Sequence, residues 1–86
     1  MKEFVTLELK LVHTFVNLAS TKYLMGNIAG GDVSHDNAKE AYRSAMHYFE
    51  KLSDLTSVDR RKLTGLLKKA KDAIAALSES RQRGMT

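Results

Sequence analysis

Residues 5–24 read VTLELKLVHTFVNLASTKYL, and whether this run is strand or helix decides the fold. Its first seven residues alternate, with Val5, Leu7, Leu9 and Leu11 apolar and Thr6, Glu8 and Lys10 polar, the period of a half-buried strand. The alternation does not last. Val12, Phe15, Val16 and Ala19 continue the apolar pattern without a turn, and no second strand is visible for the first to pair with. Wound as a helix, Phe4, Leu7, Leu11, Phe15 and Leu18 share one side with Val5, Val12, Val16, Ala19 and Tyr23, an arc of about 200°. The spacing predicts a helix from near residue 3 to near residue 28. It should end towards Gly30–Gly31, where left-handed backbone costs little.

Two more helices follow. Ser34 is a good N-cap and Asp36 complements the dipole of a first turn. Ala38, Tyr42, Ala45, Phe49 and Leu52 then repeat at spacings of four and three, the seam of an antiparallel bundle, widened by Ala41, Met46, Tyr48 and Leu55. A third helix opens at Thr56 or Ser57, and its seam is Leu63, Leu67, Ala70, Ile74 and Leu77. Gly65 falls on its polar side, and the helix is expected to fade near Ser78–Arg81, leaving residues 81–86 as a frayed tail. The short link between the second and third helices makes them antiparallel neighbours. The fold expected is all-α: a three-helix up-down-up antiparallel bundle, one domain over residues 1–80.

Composition narrows the function. The 86 residues contain no Cys and no Pro, so there is no disulfide or thiolate metal site and nothing to break long helices. Leu11 to Ala29 carries His13, Asn17, Lys22, Gly26 and Asn27, too polar for a membrane span, and Glu3 and Glu8 spoil a signal peptide. A cytoplasmic protein is the expectation. No HExxH, paired ExxH or Cys/His cluster groups His13, His35 or His47, and no Ser or Thr lies beside a His–acid pair. Gly30–Gly31 lacks phosphate-loop spacing. Neither an enzyme nor a bound cofactor, metal or small-molecule substrate is expected.

The charge distribution is informative. Between Leu11 and Gly31 the only charged residue is Lys22, although 24 of the 86 residues are Asp, Glu, Lys or Arg. Opposite the main apolar face of the first helix lie Leu9, His13, Val16, Asn17, Ser20 and Leu24, all uncharged where solvent-facing Lys or Glu would be usual. These six are expected to form an interface, most simply in a homodimer, otherwise with a partner helix. Residues 57–86 hold eight of the 14 Lys and Arg. Arg60, Arg61, Lys62, Lys68, Lys69 and Lys71 are thus the alternative, a nucleic-acid contact. They spread over about 200° with no aromatic among them to stack a base, which favours a solvated face. A sharper version, two N-terminal strands pairing to enter a DNA groove, would need a turn between Leu11 and Phe15 that no residue marks.

The stretch Asn37 to Leu52, NAKEAYRSAMHYFEKL, resembles the middle helix of MIT domains and the second helix of tetratricopeptide repeats, through Ala38, Tyr42 and Ala45. The order of three helices with a basic third one resembles an MIT domain as well. The resemblance implies a module that takes a partner helix in an inter-helix groove. The first helix and the long connection to Ala38 depart from that pattern, and no binding residues carry over.

Overall fold

The computed structural model describes residues 2–85, leaving Met1 and Thr86 outside the described residues. Three helices follow one another: α1 (Lys2–Leu24), α2 (Ile28–Glu50) and α3 (Ser57–Met85). They lie side by side in a rod of 47 × 16 × 14 Å, about the length that the 29 residues of α3 span at ~1.5 Å each. All three pairs pack, α1 with α2 most extensively and α2 with α3 least. Phe4 at the start of α1 meets Tyr48 at the end of α2, and Asp32 at the start of α2 meets Arg81 at the end of α3. Neighbouring helices therefore run antiparallel, up-down-up.

The first turn is tighter than expected. α1 stops at Gly26, whose φ of 83° is the only positive value in the described backbone. Gly26 N–H donates to the Tyr23 carbonyl (3.0 Å) and Asn27 N–H to that of Lys22 (2.8 Å), the paired bonds of a Schellman cap. Asn27 then serves twice, because its side-chain oxygen accepts from Gly30 N–H at 3.0 Å as the N-cap of α2. Gly30 and Gly31 are thus inside α2, not at the end of α1, and Ser34 is a buried position seven residues in. Gly31 is there because the Tyr23 ring lies flat against its backbone, where any Cβ would overlap the ring. The second connection agrees with expectation: Thr56 Oγ1 accepts from Asp59 N–H at 3.1 Å and caps α3.

The other end of α3 differs. Instead of fraying from Arg81, the helix runs on to Met85, and Arg81 and Gly84 dock on the α1–α2 corner; the last residue of the expected tail, Thr86, lies outside the described residues. The main core consists of Val5, Leu9 and Val12 from α1, Ala41, Ala45 and Leu52 near α2, and Leu63, Leu67 and Ala70 from α3. A second cluster, Ala19, Tyr23 and Leu77, fills the far end. The small side chains of Ala38, Ala41 and Ala45 let α2 approach α1 closely, and each is buried. No buried side-chain N or O among the described residues lacks a hydrogen-bond partner.

Candidate protein interface

The α1 helix carries two apolar seams. Val5, Leu9, Val12, Val16, Ala19 and Tyr23 recur at spacings of four and three, and this seam faces inward. A second series with the same spacing, Leu7, Leu11, Thr14, Leu18, Thr21 and Met25, faces away from α2 and α3. Leu7 is 56% exposed, Leu11 38%, Leu18 45% and Met25 77%. Phe4 begins the series but leans its ring edge-on against Tyr48, centroids 4.6 Å apart. Towards the C-terminal end of α1 the seam opens into a groove of about 570 Å³ lined by Thr14, Asn17, Leu18, Thr21, Lys22, Met25 and Asn27. Its edge towards α2 carries the Lys22 ammonium, which donates to Ser34 Oγ at 3.3 Å.

Four of the six residues expected at an α1 interface stand outside the core, and two do not. His13, Asn17 and Leu24 are exposed and Ser20 is half-buried. Leu9 is 3% exposed and belongs to the main core, and Val16 packs against both core clusters. The uncharged exposed face is therefore rotated around α1 from the one expected and centres on Leu11, Thr14 and Leu18. Both seams are apolar, so periodicity alone does not say which of them faces in. One signal was available: four of the six inner-seam residues are Val or Ala, which suit the Ala residues of α2, whereas the outer seam has Leu at 7, 11 and 18.

A polar cluster that the sequence did not flag closes the far end of the bundle. The Tyr23 side chain is fully buried, and its hydroxyl donates to Asp32 Oδ1 at 2.6 Å. With its one proton committed, the phenol oxygen is left to accept from His35 Nδ1, 3.1 Å away. Arg81 grips the same carboxylate with two nitrogens, Nε to Oδ1 at 2.9 Å and Nη2 to Oδ2 at 3.3 Å. Burial, then the bond to Asp32, pushes the Tyr23 hydroxyl from 10.0 up to about 12. Arg81 first, and then Tyr23, holds the Asp32 carboxyl below the usual range. Burial, reinforced by the Lys39 charge, lowers His35, while the bond to Asp32 raises Arg81. A phenol this hard to ionise is a poor base or nucleophile at neutral pH. The cluster ties all three helices together.

The basic residues of α3 do not form one surface. Arg60 is engaged, donating from Nη2 to the Leu52 carbonyl at 3.1 Å and stacking over Phe49 at 5.6 Å. Lys68 pairs with Asp72 at 3.0 Å. Arg61, Lys62, Lys69 and Lys71 are exposed, and Lys71 shares a shallow groove of about 290 Å³ with Lys39, Tyr42, Arg43 and Ile74. No group of three His, Cys, Asp or Glu among the described residues could hold a metal ion. Among the described residues no helix is long and apolar enough to cross a membrane. The chain matches no protein-family model, no curated protein and no solved structure.

Proposed function

We propose that this chain is a small, non-enzymatic helical interaction module that self-associates through the outward face of α1. One observation carries the reading. A heptad-spaced seam of Leu7, Leu11, Leu18 and Met25 stands exposed along a helix whose opposite side already serves the core. Apolar surface of that length, on a protein of 86 residues, costs solubility unless something covers it. Recognition is then helix on helix, driven by apolar burial. Its place in a reducing cytoplasm belongs to the same reading and rests on a chain without cysteine.

The test is the mass in solution. At about 50 μM, above the Kd of a modest helix interface, the 9.6 kDa chain is expected to sediment as an oligomer. Leu18→Glu should return it to monomer with its helicity intact, since Leu18 is outside the core clusters. A wild-type chain that is monomeric at that concentration overturns the proposal.

A second reading has one observation in its favour. The groove where Lys39, Arg43 and Lys71 surround Tyr42 could take a phosphate backbone with one stacked base. Salt-dependent retention on heparin that is lost on Lys39→Glu with Lys71→Glu would support it. Unchanged retention in that variant reduces the basic face to solvation.

A further inference from the structure

The seam determines how two copies would meet. Resting on the self-association proposed above, we infer that the occupant is a second copy of this chain, lying antiparallel along α1 with the two-fold axis beside Phe15. The first argument is charge. Glu8, Phe15 and Lys22 follow one another every seven residues along the edge of the seam that borders α2. Glu8 and Lys22 are thus equidistant from Phe15 and opposite in sign. An antiparallel pairing about that point sets Glu8 against the partner's Lys22 and Lys22 against the partner's Glu8. The Lys22 ammonium has three protons and gives one to Ser34, so it retains donors for a carboxylate. A parallel pairing would instead bring Glu3 towards the partner's Glu8, like against like.

The layers agree with the charges. In this register Leu7 meets the partner's Met25, Leu11 meets the partner's Thr21, and Thr14 meets the partner's Leu18. Every layer contains a leucine, none pairs threonine with threonine, and the overlap uses the whole exposed seam. Sliding one copy by a heptad towards the N-termini leaves Met25 uncovered and sets Glu8 against the partner's Phe15. Area is the second argument. At 56%, 38%, 45% and 77% exposure, Leu7, Leu11, Leu18 and Met25 offer roughly 450 Å² of apolar surface per copy. With Thr14, Thr21, Asn17, Glu8 and Lys22 along the edges, the contact approaches the ~800 Å² per partner of a stable interface.

The experiment is a charge-reversal set read by sedimentation equilibrium at low salt. Glu8→Lys and Lys22→Glu should each weaken the dimer about tenfold or more, because each change turns two attractive pairs into two repulsive ones. Mixing the two single variants should restore a dimer, since each then supplies what the other lacks. The double variant should self-associate like the wild type. If Leu18→Glu dissociates the dimer but the reversals leave it unchanged, self-association stands and this register is overturned. A wild-type chain that never dimerises removes both.

Discussion

An alanine at Gly84 should destabilise the protein, although ordinary helix physics says the opposite. Replacing glycine by alanine inside an exposed helix gains close to 1 kcal/mol. Gly84 is one residue from the described end of α3, where a loosely held helix would show at most that gain. In the folded bundle a Cβ at this position overlaps the carbonyl oxygen of Tyr23. That oxygen cannot step aside, because it accepts the Gly26 N–H bond of the cap that ends α1. Forcing extra volume into such a contact costs about 1–3 kcal/mol. The net effect is a loss of up to about 2 kcal/mol, capped by what the last turn of α3 contributes, since that turn can undock. For a chain of this size each kcal/mol lost lowers Tm by roughly 4–8 °C. Gly65→Ala is the matched control. Gly65 has no atom within 4 Å of the added Cβ and faces solvent, so alanine there should raise Tm by about 4–8 °C. Thermal melts followed by circular dichroism, with both variants at one protein concentration, decide the matter. If both substitutions raise Tm equally, the end of α3 is not docked on Tyr23.

Two further outcomes separate core from surface and test the polar cluster. Leu9→Ala should cost about 2–5 kcal/mol in denaturant unfolding, and Leu18→Ala within about 0.5 kcal/mol under conditions where the chain is monomeric; equal losses would mean that the two seams of α1 are assigned the wrong way round. Tyr23 is harder to ionise folded than unfolded, so stability should fall as pH rises from about 10 towards 12. Asp32 and His35 are depressed, so stability should also fall as pH drops below about 6.5 and again below about 4. Tyr23→Phe should lower stability at pH 7 by about 1–2 kcal/mol and flatten the alkaline decline, and an unchanged alkaline decline would place its origin elsewhere.

Helix content and order were legible in the sequence because three apolar seams at 3–4 spacing, in a chain without proline, leave little else to form. The strand-like alternation of Val5, Leu7, Leu9 and Leu11 is a by-product of two helical seams side by side. Val5 and Leu9 belong to the inner one, Leu7 and Leu11 to the outer one. Boundaries were less legible, for one reason at the Tyr23 end of the bundle. Gly30–Gly31 and Gly84 look like places where helices stop. Gly31 and Gly84 are instead places where helices touch, the first against the Tyr23 ring and the second against the Tyr23 backbone carbonyl. Local propensity sees the missing Cβ but not the ring or the carbonyl that occupies its place. Gly26, the residue with the left-handed backbone, gives no stronger local signal than the other two.

The same limit explains what was found and missed on α1. Uncharged residues between Leu11 and Gly31 marked this helix as the one with few charges on its exposed side, a property of composition that needs no coordinates. Which side it covers is a property of packing. Placing Leu9 on an outer face left the inner seam without its leucine, while Leu7, Leu11 and Leu18 were assigned a core that has no room for them beside Ala38, Ala41 and Ala45. Close approach of α1 to α2 favours small side chains, and the inner seam supplies Val5, Val12, Val16 and Ala19, with Leu9 and Tyr23 its only large members. The larger leucines are then turned outward by exclusion. A helix that keeps Leu at three outward heptad positions, where Lys or Glu would be usual, carries the exposed apolar surface on which the proposed self-association rests.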